Sequence, residues 1–489
     1  MAARTGEDFI KGLRATSREI WLGGERIDGV TDHPRLAPGA DAIAAYYDLQ
    51  HEYPDELLMP DPETGERINV THMQPRSVAD LQRRHAGLVR IAELSMGVMG
   101  RTPDYMNVTF AGFADDRLRW AGPDGSNEEG HENLVVFQKR LRRDDLSLTH
   151  SIIHPTVDRQ TDRVFEANPV PLHKVAETAD SIVVRGCRLL ATLAPYADEQ
   201  TVYPSQPLPP GAHDYALAFT VPMDAPGLVF LCRDSGIRPE AHPVDAPFST
   251  RFDEQDALCI FDDVEIPKRN VFINGSLDVY NSVMGLSPWW PNIMQQTTIR
   301  ALTKLEFAYG LLVRMAEAVN DTSERTNELL GEVVGYIEVT RNAVLLSEQN
   351  AVTWESGGVY PEARALHPMR ALLPDWFVRV NEIIRVVGSH NLLAAAGRGA
   401  LDDPRIHALM TEFQPGANGI SADERSAVYR VAWDFMGSLV GSRGELYERN
   451  YLTSARTNRM MSNIVYSGEN RRRGAELLEK LLSDARARA

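Results

Sequence analysis

The chain has 489 residues, a formal net charge of −17 at pH 7 and a hydrophobic fraction of 43%. At roughly 100–200 residues per domain, this length predicts two to four domains with cores that need no disulfides. The acidic balance argues against nucleic acid as a partner, because phosphate binding requires clustered Lys and Arg side chains.

The three cysteines, Cys187, Cys232 and Cys259, are scattered along the chain. An odd number without a Cys-x-x-Cys pair argues against a disulfide framework and against a cysteine-based zinc or iron–sulfur site. Reduced cysteines are typical of the cytoplasm. The polar N-terminus and the lack of an apolar run of about 18 residues indicate neither secretion nor a membrane span. We therefore expect a cytoplasmic protein.

Residues 1–145 have the apolar spacing of helices joined by polar loops. The stretch 78–100 repeats apolar side chains at the spacing of an amphipathic helix. Pro103 disfavours helical backbone at Thr102, so this helix is predicted to end near Arg101. We expect a mainly helical N-terminal domain over residues 1–145.

Residues 146–272 change to short β-rich runs separated by turns. Runs at a spacing of about 8–12 residues indicate a barrel or a sandwich, and we predict a middle β-barrel domain with these bounds. The run 181–192 is interpreted as a hairpin that turns at Arg185 and Gly186. A proline-rich loop over residues 204–212 interrupts the region.

Residues 273–489 return to helical periodicity. The stretches 299–319 and 326–352 are long and periodic, which is typical of a helical bundle. The order of helices, strands and helices predicts an α+β fold, and this order resembles the acyl-CoA dehydrogenase architecture.

Arg101 and Tyr105 flank Pro103 at the predicted helix end, where polar side chains can face a cavity. A phenol that must lose its proton is helped by hydrogen bonds and positive charge, which Arg, Tyr and His side chains supply. The structural alternative is that Arg101 caps helix carbonyls and pairs with Asp104. Spacing alone favours this alternative.

Two histidines, His150 and His154, lie four residues apart and precede Pro155. On a helix this spacing could ligate a metal. Pro155 and the β-branched neighbours indicate an extended chain instead, and no acidic residue at suitable spacing completes a metal site. We therefore predict no metal. The remaining interpretations are a polar histidine at a cavity wall and a structural histidine.

Two further segments combine charges with turns. Residues 251–256 precede an apolar strand and fit a solvated turn with local ion pairs. Residues 441–451 are interpreted as a Gly-flanked turn, either an ordinary helix end or a turn in which Arg443 holds a phosphate. The chain has no Gly-x-Gly-x-x-Gly, Walker or Gly-x-Ser-x-Gly motif, which argues against Rossmann, P-loop and α/β-hydrolase sites.

Taken in chain order, these segments resemble one family, the oxygenase component of 4-hydroxyphenylacetate 3-monooxygenase. Any one segment is a weak signal, whereas several in the family order are a strong one. The resemblance covers most of the chain and is carried by the segments 100–105, 149–155, 158–159, 191–192, 249–257, 263–267, 416–419 and 444–451.

The resemblance implies an acyl-CoA-dehydrogenase-like fold and a homotetramer. It also implies FAD, used as FADH2 that a separate NAD(P)H:flavin reductase delivers. In this family the flavin reacts with O2 to give a C4a-hydroperoxide, which hydroxylates a phenol ortho to its hydroxyl group. Such chemistry needs a dry pocket, which the strands around Thr192 and the helix at 85–99 could build.

The resemblance also assigns roles to single residues. The phenol oxygen would be held by Arg101, Tyr105 and His150. Thr192 would lie near flavin N5. The residues expected at the cofactor are Ile153, Thr156, Asp158, Arg159, Leu190, Ala191, Thr192, Gln296, Arg300 and Arg443.

The chain departs from some relatives at Leu193-Ala194-Pro195, where they carry small polar residues that bind a substrate carboxylate. We expect the loop 204–212 to select the substrate, so phenol activation is better supported than 4-hydroxyphenylacetate itself. Three alternatives remain. The first is an acyl-CoA dehydrogenase-type flavoenzyme, which needs a catalytic glutamate. The second is a 4-hydroxybutyryl-CoA dehydratase-like lyase, which needs an iron–sulfur cluster that three cysteines cannot easily ligate. The third is a non-catalytic scaffold.

Overall fold

The computed structural model describes residues 3–158, 168–451 and 453–488. The N-terminal part is mainly helical. Its helices are α1 (Gly6–Ala15), α2 (Ala37–Glu52), α3 (Pro54–Leu57), α4 (Val78–Glu93), α5 (Pro103–Ala114), α6 (Arg117–Trp120) and α7 (Glu128–Asp144). The short strands among them are β1 (Glu19–Leu22), β2 (Glu25–Ile27), β3 (Leu58–Pro60) and β4 (Arg67–Asn69).

The boundary between α4 and α5 positions the candidate site. Helix α4 begins after Ser77, whose hydroxyl accepts the backbone N–H of Asp80, a usual N-cap arrangement. It ends at Glu93, seven residues earlier than the predicted end of the stretch 78–100. A new helix, α5, then begins with Pro103 at its first position, where proline suits the backbone. Tyr105 therefore lies in the first turn of α5.

The middle part of the chain consists of strands. They are β5 (Leu148–Ser151), β6 (His173–Glu177), β7 (Ser181–Thr192), β8 (Glu199–Val202), β9 (Leu217–Pro222), β10 (Leu228–Cys232), β11 (Asp256–Pro267) and β12 (Val271–Asn274). They form a six-stranded sheet in the order β2-β1-β10-β11-β7-β6 and a four-stranded sheet in the order β12-β9-β8-β5. The N-terminal strands β1 and β2 thus extend the larger sheet.

The predicted closed barrel is not found among the described residues, where the strands form two separate sheets. The strand β12 at one edge is covered by α7, because Asn133 donates hydrogen bonds to the carbonyls of Lys268 and Val271. A covered edge does not need a further strand as its partner. The two sheets approach each other at the isolated bridge between Ile153 and Leu189.

The interpretation of residues 181–192 as a hairpin is wrong, because these residues form the single strand β7. Gly186 has a φ of 121°, a conformation that residues with a side chain rarely adopt. A Cβ atom at this position would lie 2.6 Å from the carbonyl oxygen of Pro171. The glycine therefore permits a close approach of a neighbouring segment and does not reverse the chain.

The C-terminal part is helical, and the minor strands β13 (Val352–Thr353) and β14 (Val359–Tyr360) form a small hairpin in it. Its helices are α8 (Leu277–Leu286), α9 (Trp289–Glu317), α10 (Glu324–Gln349), α11 (Ala363–Leu366), α12 (Met369–Gly388), α13 (Asn391–Ala394), α14 (Arg398–Leu401), α15 (Pro404–Phe413), α16 (Ala422–Met436), α17 (Leu439–Asn450) and α18 (Ala455–Arg488).

Helix α9 is the centre of the α-helical core. It packs against α4 and α5 of the N-terminal part and against α10, α12 and α16 of the C-terminal part. Its side chains are buried on most sides between Trp289 and Leu305, so it has no broad solvent-exposed face in this segment. Among the described helices, none is both long and apolar enough to cross a membrane. The domain bounds 1–145, 146–272 and 273–489 stay a prediction.

Candidate active site

The structure brings Arg101, Tyr105 and His150 together in one buried cluster. Tyr105 lies in the first turn of α5, and His150 lies on β5, which pairs in parallel with β8. The Tyr105 and His150 rings are stacked with centroids 5.4 Å apart. The guanidinium carbon of Arg101 lies 3.8 Å from the centroid of the Tyr105 ring. The sequence alone could not show that these three side chains are in contact, because their contact depends on how α5 packs near the four-stranded sheet.

His150 lies between two aromatic rings, those of Tyr105 and Tyr203. The Tyr203 ring is stacked on its other side, with a centroid distance of 5.5 Å. Burial, reinforced by the positive charge of Arg101, lowers the pKa of His150 well below its ordinary value. The imidazole is therefore neutral near pH 7. A neutral imidazole has one nitrogen that can accept a proton from a bound hydroxyl group.

The Arg101 side chain is enclosed by tyrosine rings. Its guanidinium carbon lies 4.2 Å from the centroid of the Tyr451 ring and 5.5 Å from that of Tyr447. Cation–π contacts of this kind hold a guanidinium without an opposing carboxylate. The Nη1 atom of Arg101 is buried and has no hydrogen-bond partner among the described residues. A buried donor without a partner is costly, so this nitrogen is suited to a ligand oxygen.

The backbone around Arg101 is held by Glu254, a role that the sequence did not indicate. One carboxylate oxygen of Glu254 accepts the N–H groups of Gly100 and Arg101, both at 2.6 Å. A Cβ atom at Gly100 would lie 2.3 Å from the Tyr447 hydroxyl oxygen, so a residue with a side chain does not fit there. Together these contacts set the position from which the Arg101 side chain extends.

Asp104 is buried beneath the cluster. Its carboxylate accepts hydrogen bonds from the Thr102 hydroxyl and from the Gln296 amide, the latter at 2.9 Å. Burial raises the pKa of Asp104 to about 6, and these hydrogen bonds oppose the rise only in part. The predicted cofactor residue Gln296 is thus engaged with Asp104, and the predicted pairing of Arg101 with Asp104 is not observed.

The segments predicted to face the flavin form an open apolar surface. Ile153 and Leu190 are 47% and 51% exposed although both are aliphatic. They belong to neighbouring chain segments, because the N–H of Leu189 donates to the Ile153 carbonyl at 2.8 Å. Such a surface fits one face of a flat aromatic ring system. Thr156 and Asp158 are exposed farther along, and the predicted Arg159 lies outside the described residues.

The other two residues of this strand that were predicted to face the flavin, Ala191 and Thr192, are buried at its end. They are flanked by Leu190 and Leu193, with φ values of 61° and 64°. Left-handed backbone is unfavourable for a leucine and occurs where surrounding structure imposes it, often at functional sites. The Thr149 hydroxyl fixes this end of the strand by donating to the Thr192 carbonyl at 2.7 Å.

The Thr192 hydroxyl is hydrogen-bonded to a buried network of charged side chains. It donates to Asp256 at 2.7 Å. Arg443 donates two hydrogen bonds to Asp256, each of 2.8 Å, and one of 2.7 Å to Glu254. Arg233 adds a further contact to Asp256 at 2.9 Å. The network therefore connects Thr192 with the carboxylate that holds the backbone of Arg101.

The interpretation of residues 441–451 as a turn is wrong, because residues 439–450 form the helix α17. Ser438 caps this helix by accepting the N–H of Gly441, and Gly441 packs against the carbonyl of Phe435. Glycine inside a helix costs about 1 kcal/mol relative to alanine, so close packing explains its presence better than a turn does. Arg443 lies on this helix with its side chain directed to Asp256 and Glu254.

Arg300, the second residue predicted on the first long C-terminal helix, belongs to a buried ion cluster. Its guanidinium donates to both oxygens of Glu448, at 2.7 and 2.9 Å, and to the Gly97 carbonyl at 2.8 Å. Lys304 contacts the same carboxylate at 2.9 Å. These contacts join α9 to α17. The role of Arg300 at the cofactor stays a prediction.

Several residues of the cluster were not assigned from the sequence. They are Tyr203, Glu254, Asp256, Tyr447 and Tyr451. Four of them lie inside the segments 249–257 and 444–451, so the signal was the density of charged and aromatic residues there. That density was interpreted as local ion pairs and a turn. The structure shows instead that the two segments meet each other.

Two family models place the chain in the class of aromatic hydroxylases. Within this class, the chain belongs to the 4-hydroxyphenylacetate 3-hydroxylase family. The N-terminal model of this family matches residues 5–273, and its C-terminal model matches residues 283–482.

Curated relatives match over almost the whole chain. The 4-hydroxyphenylacetate 3-monooxygenase oxygenase component of Thermus thermophilus is 33% identical over 449 residues, which are 91% of each chain. The (3S)-3-amino-3-(3-chloro-4-hydroxyphenyl)propanoyl-[peptidyl-carrier protein] monooxygenase of Streptomyces globisporus is 31% identical, over 91% of this chain and 84% of the relative. The family thus includes relatives named for different phenols.

Solved structures agree with the fold. An oxygenase component of 4-hydroxyphenylacetate 3-monooxygenase in complex with FAD and 4-hydroxyphenylacetate superposes with a TM-score of 0.92 at 31% identity, over 98% of this chain and 99% of the other. An archaeal 4-hydroxybutyryl-CoA dehydratase from N. maritimus superposes with a TM-score of 0.85 at 16% identity, over 98% and 95%. The second likeness shows a shared fold only. The predicted fold class and family are confirmed.

The raised pKa of Asp104 makes stability depend on pH. An unfolded Asp loses its proton near pH 4, whereas folded Asp104 keeps it until about pH 6, so stability falls as the pH rises between these values. Above this window the loss amounts to about 3 kcal/mol. We expect Asp104→Asn to be more stable than the parent at pH 8, with little of this advantage at pH 4. Urea unfolding at both pH values measures it.

The exposed Asp28 provides the control, because Asp28→Asn changes the same chemical group outside the core. The difference between Asp28→Asn and the parent should be the same at pH 4 and pH 8. Equal destabilisation of Asp104→Asn at both pH values would contradict the predicted change in the charge of Asp104 between them.

Proposed function

We propose that this chain is the oxygenase component of a two-component flavin-dependent monooxygenase. It would use FADH2 and O2 to hydroxylate a phenolic, 4-hydroxyphenylacetate-like substrate ortho to its hydroxyl group. The observation that carries the proposal is the buried cluster of Arg101, Tyr105 and His150, in which one guanidinium nitrogen has no hydrogen-bond partner among the described residues. Family membership supplies the chemical context.

The three residues suit the activation of a phenol. Arg101 Nη1 would donate to the phenol oxygen, and its positive charge would stabilise the phenolate. The neutral His150 can accept the proton that the phenol loses, and Tyr105 would orient the same oxygen. A phenolate ring is richer in electrons at the ortho carbon, which is the carbon to be hydroxylated. Reduced flavin, when bound, supplies the activated oxygen from O2.

The side chains near the cluster are largely aromatic and buried, and they would exclude water. Tyr203 and Trp289 are buried with ring centroids 6.5 Å apart, and Phe113 contacts both rings. Water exclusion strengthens the charge interactions of Arg101 and limits unproductive breakdown of activated oxygen. The apolar surface of Ile153 and Leu190 would hold the flavin beside this cluster.

The proline-rich loop 204–212 would select among phenols. Asn281 on α8 holds it through two hydrogen bonds with the backbone of Leu208. The Leu208 N–H donates to the Asn281 side-chain oxygen at 2.8 Å, and the Asn281 amide donates to the Leu208 carbonyl at 3.0 Å. Tyr203, at the start of the loop, stacks on His150. The loop therefore begins next to a residue that contacts the phenol cluster. We propose a phenol as the substrate class and leave its ring substituents to the loop.

We also propose the partner and the location. FADH2 would come from a separate NAD(P)H:flavin reductase, since the name of the Thermus relative is that of an oxygenase component. NAD(P)H and a diffusing reduced flavin are found together in the cytoplasm, so we propose a cytoplasmic location.

A homotetramer is proposed on the basis of helix α18. Asn458 is the residue of this 34-residue helix that is buried. The helix exposes two apolar groups at helical spacing, namely Met460, Met461, Ile464 and Val465, and Leu477, Leu478, Leu481 and Leu482. Apolar stripes of this length on a surface helix indicate contact with another chain. Further copies of the same chain are the simplest partner, because oligomers of identical subunits predominate.

Anaerobic mixing with FADH2, followed by oxygen, tests the function. The proposal expects a transient near-ultraviolet absorbance distinct from that of oxidised flavin, and conversion of phenols to catechols with incorporation of one atom of ¹⁸O₂. Immediate reoxidation at the rate of free flavin, without catechol from any phenol, would overturn the monooxygenase proposal.

We expect His150→Ala to impair hydroxylation more than flavin binding, because His150 is assigned to the phenol. Hydroxylation should fall by about 10²-fold or more, the usual range for a lost general acid or base. FADH2 affinity should change much less. Catechol yield and anaerobic flavin titration measure the two effects, with the exposed His242→Ala as a control. Equal loss of both would contradict the assignment.

The double variant Leu478→Glu/Leu481→Glu tests the role of α18 in assembly. Two buried carboxylates would destabilise an apolar interface, so we expect a smaller molar mass by light scattering. The matched control is Glu476→Lys, which changes charge on the opposite face of the same helix and should leave the mass unchanged. A monomeric parent protein would refute the tetramer.

A further inference from the structure

The hydrogen bond between Thr192 and Asp256 has a fixed direction. Asp256 accepts the Thr192 hydroxyl proton at 2.7 Å, and its two oxygens also accept three hydrogen bonds from Arg443 and Arg233. Burial alone would raise the pKa of Asp256, but these two guanidinium groups hold it well below its usual range. An ionised carboxylate has no proton to return. The proton of this bond therefore belongs to Thr192.

A hydroxyl group has one proton and two lone pairs. Since Asp256 takes the proton of Thr192, the hydroxyl can offer only lone pairs to any other group that approaches it. A ligand that places a hydrogen-bond donor at this oxygen is accepted. A ligand that places a lone pair there meets another lone pair in a buried site, where such a mismatch is costly.

The two redox states of flavin differ in this respect at N5. Reduced flavin carries a hydrogen on N5 and is a donor there, whereas oxidised flavin has a lone pair on N5 and is an acceptor. We propose that Asp256 is a positioning residue that makes the Thr192 hydroxyl an acceptor only, and that this polarity lets the site bind reduced flavin in preference to oxidised flavin. The proposal rests on the proposed function and on the family resemblance, which implies that Thr192 lies beside N5.

The surrounding network suits this role. Arg443 and Arg233 approach Asp256 from α17 and from the end of β10, so the carboxylate cannot turn away from Thr192 without losing ion pairs. The Thr192 backbone is held separately, through its carbonyl, by Thr149. The position and the polarity of the hydroxyl are thus fixed by different contacts. An oxygenase that receives FADH2 and must release FAD benefits from this preference.

The test compares the dissociation constants of FAD and of FADH2 for the same protein. FAD binding is measured by fluorescence titration, and FADH2 binding by anaerobic titration. We expect the parent to bind FADH2 more tightly. Thr192→Val removes the acceptor at nearly constant volume. It should lower the ratio of the FAD dissociation constant to the FADH2 dissociation constant about tenfold. A tenfold change corresponds to about 30 mV in the two-electron potential of the bound flavin. Thr192→Ser keeps the hydroxyl and should restore the ratio.

Asp256→Asn tests the direction of the hydrogen bond. The two arginines would draw the amide oxygen of the new side chain, so its NH2 group would donate to Thr192 and release the hydroxyl proton toward the ligand. FADH2 should then bind more weakly and FAD more tightly. Asp253→Asn is the matched control, because Asp253 pairs with Arg233 in the same network and has no contact with Thr192. It should leave the ratio unchanged.

The outcomes separate this proposal from the proposed function. If the parent prefers FADH2 and hydroxylates phenols while folded Thr192→Val keeps the ratio, the role of Thr192 is refuted and the function stands. If Thr192→Val lowers the ratio and folded Asp256→Asn does not, Asp256 does not set the polarity. If Asp253→Asn lowers the ratio as much as Asp256→Asn, general loss of charge is the cause and the proposal fails. A parent that binds neither form of flavin overturns both.

Discussion

The buried ion network of Glu254, Asp256 and Arg443 is the contact on which the candidate site depends. Arg443 comes from the C-terminal helix α17, the two carboxylates precede or begin the strand β11, and Glu254 holds the backbone of Arg101 before α5. Three distant parts of the chain therefore share one cluster of charges. Removing one member of a buried ion pair typically costs about 3–5 kcal/mol, because the other charge is left without a partner. Such a cluster tolerates few alternative arrangements.

The sequence predicted the fold class, and its motifs in family order singled out Arg101, Tyr105 and His150, which the structure brings together. Their role at a phenol stays a prediction. Prediction from the sequence failed where contacts decide the structure. Gly186 was interpreted as a hairpin turn because glycine often marks one, but here it admits the Pro171 carbonyl. Gly441 was interpreted in the same way, although it lies within α17. Gly186 is explained by the Pro171 carbonyl in a separate segment, and Gly441 by the Phe435 carbonyl in the preceding helix.

The cofactor residues show the same limit in another form. Gln296, Arg300 and Arg443 were expected at the flavin because of the family resemblance. The structure uses each to satisfy a buried carboxylate, of Asp104, Glu448 and Asp256 respectively. A polar residue at a core position has either a ligand or a protein partner, and spacing along one helix does not distinguish them. The predicted flavin-facing aliphatic residues, Ile153 and Leu190, are distinguished by their exposure.

The anchoring of the loop 204–212 has a consequence for how enzymes of this kind can diversify. Asn281 contacts the N–H and the carbonyl of residue 208 and makes no use of the side chain there. The loop can therefore exchange its exposed side chains through mutation and drift while its backbone path is kept. Under the proposed function, substrate range would change in this way without disturbing the buried ion network. The separation of replaceable side chains from a backbone anchor would give selection a low-risk route from one phenol to the next.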